Sequence, residues 1–399
     1  MDKTTGDGRE RASIARNRPV RRRGAGPFFP MKILQILPEL NAGGVERGTL
    51  EVARYLVAAG HEALVVSNGG RLVEELEKTG ARHIAMPVHR KSLGSLLQIR
   101  PLRRLLEREK PDIVHIRSRV PGWIATLALR KMNPATRPQV VTTVHGFYSV
   151  SAYSAVMTRG DRVIAVSECI RDYVLTNYPK TPSAVIRVIP RGVELERYPR
   201  GFVPSAEWLA AWKIAQPQCE NKAVLLLPGR ITRLKGHVDF FNLIAGLKAA
   251  GVAVHGLVVG DTHAKKRDYL AELRAKADEL GVGADVSFLG HRSDVREIMA
   301  VSDIVYSLSQ QPESFGRVTL ETLALGRAFV GYDHGGVGEQ LRPFFPAGCV
   351  TLGDKTGLLE ATLRVLEERP VPGVVGEPYT LKCMCGSTLA VYKELVTKP

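Results

Sequence analysis

Short apolar runs alternate along most of the chain with longer segments whose apolar positions recur every three or four residues. The short runs are rich in Val, Ile and Leu, which is typical of buried strands, and the longer spacing is typical of helices. Thirteen strands are predicted, at residues 32–37, 62–67, 83–88, 112–117, 139–144, 161–166, 184–189, 223–227, 254–259, 285–289, 303–308, 328–332 and 349–352. Helices are predicted between them, notably at residues 45–59, 96–109, 167–177 and 316–326.

The alternation of strands and helices predicts an α/β fold built on doubly wound parallel sheets. The pattern breaks once, at residues 194–221, where Pro199, Pro204 and Pro217 interrupt it. We therefore expect two similar domains and a linker between them. The expected divisions are a basic extension (1–30), a first domain (31–195), a linker (196–220), a second domain (221–370) and a C-terminal tail (371–399) that ends in a helix.

Composition fits two soluble domains. The chain has 399 residues, of which 44% are hydrophobic and 24% charged. It contains no run of 18 or more apolar residues, so no membrane span is predicted. The net charge of +16 favours acidic partners. Five cysteines are scattered, and Cys383 and Cys385 lack the two-residue gap of a zinc or redox pair. We expect all five to be reduced and structural, which fits a cytoplasmic protein.

The first 30 residues carry Lys3 and seven arginines against three acids, with little apolar content. Such a segment cannot bury enough surface to offset the entropy of ordering, so we expect it to be disordered. One interpretation is a basic arm for a membrane or a nucleic acid. The other, which we prefer, is that Met31 is the true start, because a strand begins there at once.

Residues 307–341 contain the densest candidate chemistry. Glu313 lies in the loop between a predicted strand and a helix, and Glu321 lies inside that helix. The amides of Gly316, Arg317 and Val318 have no partner within the helix and favour an anion such as a diphosphate. Ionised glutamates accept hydrogen bonds from sugar hydroxyls. The pattern indicates a nucleotide sugar, although a solvated loop acid and an acid in the first turns of a helix would look the same.

Five other residues, in three segments, are candidates on weaker grounds. Gly43 and Gly44 follow the first strand, where glycines let a phosphate approach a helix N-terminus, but a tight turn without a ligand explains them equally. Arg230 and Lys235 follow the first strand of the second domain and could neutralise a diphosphate or simply face solvent. His145 follows the fifth strand, where a histidine is more often structural than catalytic.

The order of motifs resembles a known family. Glu313-Ser-Phe-Gly, then Glu321 eight positions on, then Gly335-Gly-Val-Gly-Glu339 resembles the donor site of retaining glycosyltransferases of family 4, over residues 31–395. The resemblance implies the GT-B fold, in which two Rossmann-like parallel-sheet domains face each other across a cleft. It also implies that the tail crosses back to the first domain.

The resemblance further implies roles for individual residues. Arg230 and Lys235 would hold the donor pyrophosphate, His145 would touch the transferred sugar, and Glu313 and Glu321 would bind the sugar and ribose hydroxyls. The remaining donor-site positions would be Gly43, Gly44, His291, Arg292, Ser314, Phe315, Gly316, Arg317 and Val318. His291 and Arg292 belong to the turn that reads the nucleobase, largely through its backbone.

The implied activity is transfer from a nucleoside diphosphate sugar to a glycan or lipid-linked acceptor, as in bacterial lipopolysaccharide core synthesis. No Asp-x-Asp motif is present, so we expect no metal cofactor. We expect no nucleic-acid partner. An epimerase or hydrolase of the same fold and a non-catalytic polyanion- or glycan-binding protein are the alternatives.

Residues 89–110 interleave seven Arg and Lys with leucines. A basic amphipathic helix can lie on an anionic membrane, which would place the protein at the cytoplasmic face of the inner membrane. An ordinary surface helix packing its leucines on the sheet explains the same pattern.

Overall fold

The computed structural model describes residues 30–41, 43–261 and 267–396. The expected basic extension lies outside these residues, apart from Pro30. Within them, thirteen strands form two parallel sheets. The first sheet contains β1 (Lys32–Ile36), β2 (Glu62–Ser67), β3 (Arg82–Ala85), β4 (Ile113–Ile116), β5 (Gln139–Val144), β6 (Arg162–Ala165) and β7 (Ile186–Val188). The second contains β8 (Ala223–Pro228), β9 (Val254–Val259), β10 (Val286–Gly290), β11 (Ile304–Ser307), β12 (Ala328–Tyr332) and β13 (Cys349–Val350).

Helices cover both sheets and connect their strands. In the first domain they are α1 (Gly44–Ala58), α2 (Val73–Glu77), α3 (Ile99–Glu109), α4 (Arg119–Arg130) and α5 (Glu168–Asn177). The linker holds α6 (Ala206–Ala215). The second domain has α7 (His237–Ala249), α8 (Arg267–Glu279), α9 (Val295–Val301), α10 (Arg317–Ala324), α11 (Gly335–Phe344) and α12 (Lys355–Glu368), and the chain ends with α13 (Leu381–Val396).

The predicted α/β fold class is confirmed, because the apolar runs become parallel strands, most of them buried between helices, although β3 has no buried residue. Ser167 caps α5 by accepting a hydrogen bond from the Ile170 amide at 3.3 Å. The helix predicted at 96–109 begins later, since Leu93–Gln98 is a 3-10 helix and α3 starts at Ile99. Pro101 lies in the first turn of α3, where its missing N–H costs nothing.

Strand order fixes where the two sheets can bind a ligand. The order is β3-β2-β1-β4-β5-β6-β7 in the first sheet and β10-β9-β8-β11-β12-β13 in the second. Each order reverses beside its first strand, between β1 and β4 and between β8 and β11. At such a reversal the connections leave in opposite directions and open a crevice at the carboxyl ends of the strands. The loops after β1, β8 and β11 therefore line the two crevices.

The last helix lies on the first sheet. Met384, Leu389 and Tyr392 of α13 join the apolar core that α1 forms with β1 and β2. The Tyr392 hydroxyl is 2.6 Å from Nδ1 of His115 on β4. The chain thus returns from the second domain to close the core of the first.

The basic helix α3 packs as an ordinary surface helix. Leu102, Leu105 and Leu106 are buried in the core of the first domain. Leu96 and Leu97, in the preceding 3-10 helix, are instead 47% and 74% exposed. Among the described residues, no helix combines the length and apolar composition that crossing a bilayer requires. All five cysteines are free.

Candidate functional site

Lys235 and Glu313 meet at the crevice of the second sheet. Lys235 lies in the loop after β8 and Glu313 in the loop after the neighbouring strand β11. Lys235 Nζ donates to Glu313 Oε1 at 2.7 Å. The hydroxyls of Ser307 and Ser309 donate to the same oxygen at 3.0 and 2.7 Å. Oε2 has no hydrogen bond to any residue that the structure describes, so one carboxylate oxygen is held and the other is available.

Glu313 is held in its ionised form. Burial raises the pKa of its carboxyl, but Lys235 and the two serine hydroxyls more than offset this, and the net pKa lies below the ordinary value for Glu. A partly buried carboxylate with three donors on one oxygen is a preorganised hydrogen-bond acceptor. It suits a ligand that presents hydroxyl groups.

Two glycines let neighbouring segments approach this network. Gly236 has φ 71°, and a Cβ there would lie 2.0 Å from the carbonyl oxygen of Leu308. A Cβ at Gly336 would lie 2.3 Å from Cα of Phe315, and the Gly336 amide donates to the Glu313 carbonyl at 2.7 Å. The glycine-rich turn of the sequence motif thus supports the Glu313 loop through backbone packing.

A second group of predicted residues lines a cavity of about 570 Å³ between the two domains. Gly43 and Gly44 contribute from the start of α1, and Arg317 and Glu321 contribute from α10. A Cβ at Gly44 would lie 3.8 Å from Cδ of Arg317. Tyr198, from the linker, also lines this cavity. The first-domain glycine loop and the second-domain helix therefore face each other.

Arg317 joins the domains through Glu51 and also contacts Glu321 of its own helix. Its Nη2 donates to Oε1 of Glu51 on α1 at 3.3 Å, and its Nε lies 3.5 Å from Oε1 of Glu321. Burial raises the pKa of Glu321 above its ordinary value despite the nearby Arg317. Glu51 is not among the residues predicted from the sequence. Its position seven residues after Gly44, two turns along the same helix face, is the signal that could have found it.

Arg191 is a second residue of the site that was not predicted from the sequence. It lies beyond β7, is 7% exposed, and its guanidinium donates to the carbonyl of Gly44. A Cβ at Gly48 would lie 1.9 Å from Nη2 of Arg191. Burial, with Arg117 close by, lowers the pKa of Arg191 to about 9. Arg191 therefore fixes the glycine loop through the Gly44 carbonyl. Gly48 has no side chain, and this leaves room for the guanidinium of Arg191.

Neither group forms a hydrogen bond or an ion pair with the remaining predicted side chains that the structure describes, namely those of His145, Arg230, His291 and Arg292. His145 follows β5 in the first domain. Its pKa is well below the ordinary value because it is buried near Arg117 and Arg191, and its Nε2 has no hydrogen-bond partner among the described residues. Arg230 is exposed and has no ion pair with a described residue. Arg292 is bound to Asp294 at 2.8 and 2.6 Å, and His291 beside it is exposed.

Ser314 and Glu339 connect the domains through contacts that involve backbone groups. The Ser167 hydroxyl donates to the Ser314 carbonyl at 2.6 Å, and Phe315 is buried. The carboxylate of Glu339, on α11, accepts the amides of Glu168 and Cys169 at 3.0 and 2.6 Å. An acid of the second domain thus caps a helix of the first, at the end where the dipole favours negative charge.

Replacing Glu339 by Ala should lower the free energy of unfolding by about 1–2 kcal/mol, because two amides of α5 lose a charged acceptor. Urea denaturation of both proteins measures the difference. Glu360→Ala, on the exposed side of α12, is the matched control and should change stability by less than about 0.5 kcal/mol. Equal stabilities of E339A and E360A would show that the interdomain cap contributes nothing.

In the part of the chain that the structure describes, no three His, Cys, Asp or Glu side chains are grouped as metal ligands. The polar groups of the cleft are instead carboxylates, cations, hydroxyls and backbone amides.

Comparison with known proteins matches both halves of the chain. The model of Glycosyltransferase Family 4 matches residues 42–197, and that of Glycosyl transferases group 1 matches residues 211–377. A lipopolysaccharide 1,2-N-acetylglucosaminetransferase of Salmonella typhimurium is 28% identical over 164 residues, which cover 40% of this chain and only 42% of that enzyme.

Solved structures match over nearly the whole length. A glycosyltransferase from Rickettsia africae superposes with a TM-score of 0.81 at 28% identity, covering 93% of this chain and 100% of that one. HepE of Anabaena, crystallised in complex with UDP-glucose, shares the fold with a TM-score of 0.71 at 21% identity, covering 92% of this chain and 95% of that one. With both domains matched in order, the chain belongs to glycosyltransferase family 4 and has the GT-B fold.

Proposed function

We propose that the protein is a retaining glycosyltransferase. It moves a sugar from a nucleoside diphosphate sugar to a hydroxyl of a glycan or lipid-linked acceptor, in lipopolysaccharide or other cell-envelope glycan synthesis. Family membership and the activity of the Salmonella relative support the reaction class and the envelope setting. The UDP-glucose bound to HepE supports a nucleotide sugar as donor.

The observation that carries the proposal is the Lys235–Glu313 network beside the N-terminus of α10. In one crevice it combines a cation, an ionised carboxylate with a free oxygen, and backbone amides without helical partners. A nucleotide sugar needs the same combination, because its diphosphate is anionic and its sugar carries hydroxyls.

Each group then has a role in the transfer. Lys235, Arg230 and the amides of Gly316 and Arg317 stabilise the charge that develops on the departing diphosphate. Glu313 Oε2 accepts a hydroxyl of the transferred sugar, and Glu321 accepts the ribose hydroxyls. His145, neutral at physiological pH, offers its unpartnered Nε2 to the sugar. The acceptor attacks from the same face as the leaving group, so the anomeric configuration is retained.

A thermal-shift panel of UDP, ADP, GDP and their sugars in EDTA tests donor binding. One base should raise the melting temperature by several degrees at a concentration of about 100 Kd, since such binding adds about 2.7 kcal/mol. Lys235→Ala should abolish most of the shift. Absence of a shift with every nucleotide would contradict the proposal. We also expect turnover to be independent of metal, so activity that EDTA abolishes and manganese restores would refute this part.

Donor binding should weaken on acidification because of Glu321. Its raised pKa means that it takes up a proton at a pH where an ordinary Glu is still ionised. The protonated group loses its role as charged acceptor, so the donor KM should rise by up to about tenfold per pH unit below that pKa. Profiles of KM against pH for the wild type and Glu321→Gln measure the effect. The variant should have a higher donor KM than the wild type above the pKa of Glu321, and its KM should not rise further at low pH. If the KM of E321Q rises at low pH as it does in the wild type, Glu321 is not the group that causes the rise.

We further propose that the protein works at an anionic membrane surface on the cytoplasmic side. The exposed Leu96 and Leu97, flanked by exposed Lys91, Arg100 and Arg104, support this. Flotation with phosphatidylglycerol vesicles tests it, using the intact protein and a variant with the basic residues of 89–110 replaced by Gln. If the intact protein does not float with the vesicles, the membrane proposal is wrong.

A further inference from the structure

Two stretches of the first domain contain no acidic residue. Residues 78–106 and 113–160 have no Asp or Glu, although they carry thirteen Lys and Arg. The rest of the chain mixes both signs. Like charges repel each other on a compact surface. This excess of positive charge therefore favours the binding of an anionic partner to the first domain.

Three of these cations lie against aromatic rings in one cluster. Cζ of Arg119, the first residue of α4, lies 4.6 Å from the ring centre of Tyr148 and 5.6 Å from that of Tyr153. Nζ of Lys91 lies 4.9 Å from the centre of Tyr153. Cζ of Arg159 lies 5.8 Å from the centre of the Trp123 ring, and the Trp123 indole donates to the Tyr153 carbonyl at 2.8 Å. We call these six residues the aromatic–cation cluster.

The cations of the cluster are poorly satisfied by the protein itself. Arg119 donates to the Ser154 hydroxyl at 3.2 Å and forms no ion pair with a described residue. Lys91 and Arg159 are exposed and have neither a hydrogen bond nor an ion pair with a described residue. Arg119 also stands in the first turn of α4, where the helix dipole disfavours a cation. The rings hold the guanidinium of Arg119 in place while most of its N–H donors stay unused.

The cluster adjoins the proposed reaction centre. The backbone amide of His145 donates to the Tyr148 hydroxyl at 3.3 Å, so the ring that stacks on Arg119 also contacts the residue placed near the transferred sugar. The second domain supplies the donor-binding groups. A ligand on the cluster would therefore approach from the acceptor side.

We propose that the aromatic–cation cluster binds an anionic substituent, phosphate or carboxylate, carried by the sugar acceptor. The guanidinium and ammonium groups would neutralise the anion, and the aromatic faces would cover the apolar face of the adjoining sugar ring. The inference rests on the proposed function, because it assigns the acceptor of the same reaction.

The test uses Trp123 as a local reporter. The chain has three tryptophans, and the other two, Trp208 and Trp212, stack on each other in α6 with ring centres 5.0 Å apart. The full chain labelled with 5-fluorotryptophan is titrated with glucose 6-phosphate, glucuronic acid and glucose, and Trp123→Phe assigns the resonance. We expect the two anionic sugars to shift the Trp123 signal and glucose to leave it unchanged.

A matched pair of variants separates a site from general charge. Lys91→Gln with Arg119→Gln removes two cations of the cluster, and Arg130→Gln with Lys131→Gln removes two exposed cations at the other end of α4. The first pair should raise the dissociation constant of glucose 6-phosphate about tenfold and the second less than twofold. Equal effects of the two pairs, or a Trp123 shift with phosphatidylglycerol vesicles but not with sugar phosphate, would overturn the proposal.

Nucleotide binding is measured on the same samples by thermal shift. If the nucleotide binds but the anionic sugars do not shift the Trp123 signal, only the acceptor inference is wrong. If no nucleotide binds, the proposed function itself is contradicted.

Discussion

Replacing Glu313 by Gln is expected to lower the turnover number by about 100-fold. Lys235 and the hydroxyls of Ser307 and Ser309 all donate to its Oε1, so an amide there leaves Lys235 without its charged partner. The amide also replaces an available acceptor oxygen with a donor or reorients the whole group. Steady-state kinetics with the donor identified by the thermal-shift panel measure kcat and KM separately.

A double-mutant cycle with Lys235→Met sharpens this result. Because the two residues share one charged hydrogen bond, the loss in the double variant should be clearly smaller than the sum of the single losses. Arg230→Ala should also cost about 100-fold, through the departing diphosphate. Glu360→Gln, exposed on α12, is the control and should retain normal turnover. Near-normal turnover in both E313Q and R230A would contradict the proposed site.

The fold could be predicted because its signal is local and repeated. A parallel strand buried on both faces must be a short apolar run, and β9, whose six residues are all buried, has the same bounds in sequence and structure. The predicted start of α3 is wrong at a place where the local sequence pattern and the tertiary packing favour different structures. The leucine-rich segment before α3 looks continuous in sequence, but Leu96 and Leu97 point away from the core, and the chain forms a 3-10 turn there.

Parts of the candidate site could be predicted for the same reason, and other parts could not. Lys235 and Glu313 each follow a strand, and neighbouring parallel strands bring such loops together, so their contact follows from topology. Glu51 and Arg191 instead contact residues that are far from them in the sequence, namely Arg317 and Gly44. Arg191 contacts the carbonyl of Gly44, although 147 residues separate the two in the chain. No periodicity in the chain encodes such a contact.

The motif around Glu339 shows how a sequence signature can be recognised without revealing what its residues do. The glycines of this motif support the Glu313 loop from behind, and the glutamate caps α5 of the other domain. In this structure the spacing between Glu313 and Glu339 therefore serves interdomain packing as well as the site. A side chain's partner depends on which element lies opposite, and a single sequence does not state this.

Replacing Gly236 by Ala is expected to lower the free energy of unfolding by about 3 kcal/mol or more, and turnover with it. Gly236 precedes α7 with φ 71°, and a Cβ would lie 2.0 Å from the Leu308 carbonyl oxygen. The left-handed conformation alone costs about 1–2 kcal/mol for a residue with a Cβ. Overlap with a backbone atom adds to this, because neither the loop carrying Lys235 nor the end of β11 can rotate away as a side chain would.

Gly251 provides the matched control, at the other end of the same helix. Its φ is 77°, and no atom lies within 4 Å of the place its Cβ would take. Gly251→Ala should therefore show only the conformational cost and lower the melting temperature by a few degrees, whereas Gly236→Ala should lower it by about 6–12 °C. G236A should also lose donor-induced stabilisation, since the displaced loop carries Lys235 away from Glu313. If the two variants melt together and bind donor alike, the close approach of these loops does not support the site.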